Sequence, residues 1–189
     1  MRPFINIVEG MLAEHYVNVH TDEDKERFAD EVLRLLDAAY AYVGGHANYS
    51  DRASLLVNDD SWWKLVRIDG EIVAAAIYKK RRGRKHVAIA SIGNKGKTAL
   101  MKMIVDDIKL HRGWVEASGK AANKMLSMGM PPIPNKHAAV LTDKEILDYH
   151  GRFKYDRIIG GRVHTKILFG WPEGIEYQIE AFDPSEVRF

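Results

Sequence analysis

The chain has 189 residues, a formal net charge of +2 and a 46% hydrophobic composition, enough for a substantial buried core. It contains no cysteine, which excludes disulfides, thiolate nucleophiles and zinc–thiolate sites and is compatible with a reducing cytoplasm. The near-balanced charge excludes a general attraction of the whole molecule to nucleic acid, and no apolar run approaches the length of a membrane span.

The opening "MRPFINIVEG" has one early Arg, but Pro and Glu interrupt its apolar residues and no small-residue cleavage pattern follows. The chain is therefore expected in the cytoplasm with no membrane partner. "TDED" (21–24) predicts a helix start capped by Thr21. Phe28, Val32, Leu35, Leu36 and Ala39 then follow one helical face to an end near "VGGH". "SWWKLVRI" and "EIVAAAIY" read as strands joined by the two-residue turn Asp69-Gly70. Trp62 and Trp63 fall on opposite faces of the first strand, so one is expected in the core.

The basic run "KKRRGRK" (79–85) makes the next turn, and "KHVAIASI" is a third strand. From Thr98 the period becomes helical through Met101, Ile104, Val105 and Ile108. "GWVEAS" predicts a fourth strand, and "GKAANKMLSMG" a second helix stopped by Gly129 and the prolines after it. "MPPIPN" reads as helix termination or as a stiff lid. "TDKEILDYH" (142–150) reads as a short capped helix. "YDRIIGGRVHTKILFG" is a hairpin about Gly160-Gly161, and "EYQIEAF" adds a terminal strand. The expected fold is α/β (α+β), a mixed and mostly antiparallel sheet flanked by helices, in one domain over 1–189.

The junction "SIGNKGKT" (91–98) invites a phosphate reading. Gly96, Lys97 and Thr98 match the end of a Walker A motif, but Ser91 stands where its first glycine belongs, and the preceding strands form a meander. A plain strand-to-helix turn without ligand is the second possibility. The third comes from the element order: helix, three-strand meander, glycine junction, helix, strand, helix and closing hairpin. That order resembles the GNAT superfamily of acyl-CoA-dependent N-acyltransferases, over about residues 21–130 and again at 154–170, with 131–150 as an insertion. The resemblance extends to small acyltransferase-like proteins encoded by tailed phages, which would place the chain in a host cytoplasm.

In the family the junction reads Q/R-x-x-G-x-G/A and binds the coenzyme A pyrophosphate. The resemblance puts Gly93 at the Q/R position, Gly96 at the central glycine and Thr98 at the last small residue. It implies an acetyl-CoA or other acyl-CoA site over Ser91, Ile92, Gly93, Asn94, Lys95, Gly96, Lys97 and Thr98. Helix N-terminal amides and the two lysines would supply the charge complement. The family's Asn, Ala and Tyr fall on Ser118, Ala121 and Met125, so the usual thiolate-protonating Tyr is replaced.

N-acyl transfer needs a neutral amine, an aligned thioester and a proton for the leaving sulfur. Glu116 and Ser118 stand two apart on one strand face and are the expected base and proton relay. The plainer readings are an exposed strand residue and a helix cap. His86, opening the third strand near the family's Glu position, is the alternative base. His111, His137, His150 and His164 show no ligand spacing, and no metal is expected. The expected cosubstrate is a coenzyme A thioester and the acceptor an amine. The competing function is a GNAT-fold binding module without catalysis. Residues 79–85 would contact nucleic acid or an acidic protein, or would merely form a solvated turn.

Overall fold

The computed structural model describes residues 16–41, 44–45, 48–57, 60–81 and 83–180, so the opening decapeptide, Val43, His46, Arg82 and residues after 180 lie outside the described residues. Its contacts fall into two units: Met1–Arg81 with His86–Met103, and Arg82–Lys85 with Ile104–Phe189.

The first unit runs β1 (Tyr16–Val19), α1 (Asp22–Tyr40), α2 (Arg52–Leu56), β2 (Ser61–Ile68), β3 (Glu71–Arg81), β4 (Arg84–Ser91) and α3 (Gly93–Leu110). The first two residues of β4 and the last turns of α3 count with the second unit. Helix α1 begins as its sequence requires: Thr21 Oγ1 accepts the Asp24 N–H at 3.1 Å, and its hydroxyl donates to the Asp24 carboxylate at 2.9 Å. The turn Asp69-Gly70 has positive φ at both residues, 54° and 85°, and joins β2 to β3 with Ile68 opposite Glu71. The sheet order is β1-β2-β3-β4. Alternation sends Trp63, Leu65, Ala75 and Ile77 into one core with Phe28, Val32, Leu35, Leu36 and Tyr40 of α1. Trp63 is fully buried, while Trp62 on the other face stacks on Tyr78 with ring centroids 4.0 Å apart.

The second unit continues with β5 (Trp114–Ala117), α4 (Gly119–Ser127), β6 (Pro132–Ile133), a 3-10 turn (Asn135–His137), α5 (Ala138–Thr142), β7 (Asp148–His150), β8 (Lys154–Ile159), β9 (Arg162–Gly170) and β10 (Tyr177–Glu180). Its sheet is ordered β5-β9-β8-β7, with β6 also paired to β9. The Gly160-Gly161 turn, φ 58° and 78°, sets Ile159 opposite Arg162 and fixes the hairpin register. Helix α4 stops at Gly129 as expected, with Met130 N–H donating to Met125 O at 3.1 Å.

One local expectation fails. The helix over 142–150 is absent. Thr142 closes α5, its hydroxyl donating back to Ala138 O at 2.7 Å instead of capping forward, and Asp143 follows in the left-handed conformation. Residues 148–150 then form β7 on β8. "MPPIPN" follows the helix end and is then tied to β9. Pro132-Ile133 pairs with β9, and the Asn135 side-chain amide donates to Gly151 O and Lys154 O at 3.0 and 2.7 Å.

One segment is held by unusually close backbone approach. A Cβ on Gly113 would lie 2.1 Å from the Tyr177 ring, one on Gly170 would lie 2.2 Å from Gly113 O, and one on Gly174 would lie 1.6 Å from Arg112 O. Only glycine fits at these three positions. The contact is sealed by Trp171 N–H to Gly113 O at 3.0 Å and Trp114 N–H to Ile175 O at 3.1 Å. Both units together make a mixed α+β fold with mostly antiparallel sheets flanked by helices.

Candidate active site

The glycine junction is tighter than its sequence suggests. β4 ends at Ser91 and α3 begins at Gly93, so Ile92 alone connects them. The Ile92 N–H donates to Val73 O at 3.0 Å, and Gly93 turns the chain in one step with φ 64°. Residues 93–98 are therefore the opening turns of the helix, not a loop ahead of a helix at Thr98. No strand-to-helix loop remains to wrap a phosphate in the Walker A manner. Gly96 is buried, and a Cβ there would stand 2.5 Å from Val73 O, so helix–strand packing alone requires glycine at that position.

What the junction does present is a helix N-terminus. Ile92, Gly93, Asn94, Lys95, Lys97 and Thr98 are exposed, Ser91 is half-buried, and the first turn carries no acidic side chain. The amides of a first turn have no intrahelical acceptor and carry positive partial charge. Two exposed lysines add to it. His86 lies on β4 in this same unit, half-buried.

Glu116 and Ser118 belong to the second unit, and there the structure gathers them with three residues that the sequence did not single out. Glu116 is opposite Leu168 across β5–β9, while Lys166 is opposite Tyr155 and His164 opposite Arg157 across β9–β8. Paired residues share a face and faces alternate along a strand, so Glu116, Lys166, Tyr155 and Arg157 project to one side. Glu116 Oε1 lies 3.0 Å from Arg157 Nε and 4.0 Å from Lys166 Nζ, with the three side chains only 15%, 18% and 13% exposed. Lys166 Nζ donates to Ser118 Oγ at 3.2 Å. Ser118 occupies the N-cap position of α4 but makes no capping hydrogen bond. The hydroxyl is diverted to Lys166. Tyr155, fully buried, is oriented on Glu116 without reaching good hydrogen-bond geometry.

Burial pushes the Glu116 carboxyl above the ordinary glutamate value; Arg157 and Lys166 pull it down without cancelling that effect, and Glu176 adds to the rise. Burial, reinforced by Glu116, holds the Tyr155 phenol well above its ordinary value. Residues 131–150 cover part of this face: Ile133, Ala138, Leu141 and Ile146 pack with Trp114, Tyr155 and Leu168. A cavity of about 740 Å³ opens beside it, lined among others by Arg84, Trp114, Leu141 and Glu176, and none of the residues expected to catalyse or to bind coenzyme A lines it.

The basic run, open between a solvated turn and an anion-binding surface, is partly tied into the fold. Arg84 Nε pairs with Glu176 at 2.8 Å, and Lys85 Nζ donates to Tyr177 Oη at 3.1 Å and lies 3.6 Å from the buried Asp107 carboxylate. Lys79 sits over the Tyr49 ring. Lys80 is exposed, and the side chains of Arg81 and Arg82 lie outside the described residues. Among the described residues no group of three or more His, Asp or Glu is gathered as for a metal ion, and no helix is long and apolar enough to cross a membrane.

No family model and no curated protein matches the sequence. Solved structures do resemble the chain. Escherichia coli ElaA is 16% identical over 81% of this chain and 97% of its own, with a TM-score of 0.47. A Streptococcus pneumoniae acetyltransferase of the GNAT family is 11% identical over 82% and 98%, with a TM-score of 0.45. The E. coli ribosomal-protein-S18-alanine N-acetyltransferase is 13% identical over 89% and 99%, with a TM-score of 0.43. Likeness at this level assigns neither activity nor ligand to the chain.

Proposed function

We propose that this chain, read as one acyltransferase domain, transfers an acyl group from an acyl-CoA, by preference acetyl-CoA, to the nitrogen of an amine. The observation that carries the reading is the start of α3. A long helix opens one residue after its strand, on a left-handed glycine, with Lys95 and Lys97 exposed and no acidic side chain in the first turn. Such an end suits a pyrophosphate. Within 91–98, residues 93–95 and 97–98 are the contributors, while Gly96 supports the helix from inside.

Glu116, which burial makes a stronger base than an ordinary glutamate, suits taking a proton from an amine. The amine nitrogen then bonds to the thioester carbon, the carbon–sulfur bond breaks, and the thiolate accepts a proton. Ser118 is the proton relay in this reading. Lys166 donates to its oxygen, which leaves the hydroxyl hydrogen free to be given up. His86 is the base to test if Glu116 proves dispensable.

Acetyl-CoA at about 100 times its Kd should add about 2.7 kcal/mol, raising the Tm by roughly 5–10 °C. The double substitution Lys95→Glu, Lys97→Glu should remove that rise and leave the ligand-free Tm nearly unchanged, because both lysines are exposed. A response to ATP with magnesium and none to any acyl-CoA would sink the proposal.

One observation favours the competing reading, a binding module of the same fold without turnover. Met125, at the position of the family's acid, is 1% exposed and belongs to the core. Acyl-CoA binding with no single-turnover transfer to any amine would select that reading.

A further inference from the structure

The Glu116 cluster holds more cationic charge than its own carboxylate answers. Arg157 and Lys166 supply two positive charges at 18% and 13% exposure, and Glu116 supplies one negative charge between them. The neighbouring pair Arg84–Glu176 is neutral in itself and leaves the imbalance unchanged. Near-buried unpaired charge is costly, and proteins resolve it by pairing.

Hydrogen-bond capacity is unbalanced in the same direction. A guanidinium offers five N–H donors and an ammonium three. Among the described residues Arg157 has no partner besides Glu116, and its Nε lies 3.0 Å from that carboxylate without hydrogen-bond alignment. Lys166 uses one donor on Ser118. The fully buried Tyr155 hydroxyl likewise completes no hydrogen bond on this face. Donors therefore converge from β8, β9 and the N-cap of α4 on a place where, among the described residues, Glu116 is the one carboxylate they meet.

We propose that Arg157 and Lys166, with Ser118 and Tyr155, form an anion subsite, and that the acceptor amine carries its own anionic group, a carboxylate or a phosphate, which docks there. This rests on the acyltransferase reading for the word acceptor. The subsite itself rests on the cluster alone. Glu116 then has two tasks: it takes the amine proton, and it limits the positive charge of the subsite, which favours one small anionic group over a chain of them.

The test uses the whole chain and two readouts. In the first, inorganic phosphate and acetate are titrated separately into uniformly ¹⁵N-labelled protein and the amides of Glu116, Ser118 and Lys166 are followed. Saturable shifts are expected for the wild type, with at least tenfold weaker binding in Lys166→Met and recovery in Lys166→Arg. Arg157→Gln is the second variant, and thermal melts establish that each is folded. In the second readout, free amino acids and the matching C-terminal amides are compared as acceptors of acetyl groups from acetyl-CoA. At least a tenfold lower KM for the free acids is expected, with the gap closed in Lys166→Met.

Shifts that do not saturate, or that are unchanged in a folded Lys166→Met, overturn the subsite whatever the enzyme does. Saturable binding together with equal KM for acids and amides overturns the acceptor assignment. If anions bind as expected but no acyl-CoA binds, the acyltransferase reading fails while the subsite stands.

Discussion

Glu116 sits between two cations, yet its carboxyl holds its proton more tightly than an ordinary glutamate because the loss of water outweighs both attractions. The folded protein therefore keeps this proton to a higher pH than the unfolded chain does. Its contribution to stability is complete below the ordinary value of about 4.3 and is lost as pH rises through the raised folded value. Glu116→Gln should remove that decline, so in urea melts the stability of the variant relative to wild type should improve as pH rises through the window that opens at the ordinary glutamate value. Stability curves that stay parallel across that window would show that the carboxyl titrates normally. In the same variant, turnover should fall about 100-fold or more, the scale of a lost general base, with acetyl-CoA affinity retained. Wild-type-like turnover would pass the role to His86.

At the scale of elements, the start of α3 separates two uses of glycine that a sequence shows identically. Gly93 has open space around it but φ 64°, whereas Gly96 has helical backbone but no room. Gly93→Ala should cost about 1–2 kcal/mol through the left-handed conformation. Gly96→Ala must push Val73 backbone aside and should cost more, up to about 3 kcal/mol, with further backbone shift beyond the usual overpacking. Scanning calorimetry giving the reverse order would contradict the packing described for this junction. Turns with their own chemistry were legible: Asp69-Gly70 and Gly160-Gly161 fixed both hairpins through two residues each. The α3 start was not, because glycines and lysines before an apolar period look the same in a loop and in an exposed helical turn. Thr142 misled for a similar reason, since a threonine hydroxyl serves a helix end as readily by bonding back four residues as by capping forward. The hairpin register already aligned Tyr155 with Lys166 and Arg157 with His164. Placing β5 alongside needs a pairing across about fifty residues, which no local pattern specifies.

For the whole molecule, charge position matters more than the net value of +2. Of the six cations in 79–85, Arg84 and Lys85 are committed to Glu176, Asp107 and Tyr177, and Lys79 lies over Tyr49. Any binding to nucleic acid through this run should therefore release few counterions, with a log–log salt slope no steeper than about −3 where six free cations would give about −5. Fluorescence anisotropy with labelled duplex DNA across salt concentrations measures it, and a slope near −5 would mean that the internal pairs open on binding. Arg84→Ser should leave the slope unchanged and lower the Tm.

The glycine contact between residues 112–114 and 170–174 also bears on the order in which the second unit forms. Its two sides are separated by about sixty residues, so bringing them together pays a closure entropy that no contact within either segment repays. The β8–β9 hairpin closes through two residues and needs no such approach. β9 must already be shaped before Gly170 can slide under Gly113, and the fit tolerates no approximate version of itself. Closure at these glycines is thus a late, all-or-none event. A side chain at Gly113 or Gly174 should leave the folding rate largely alone and show itself as faster unfolding.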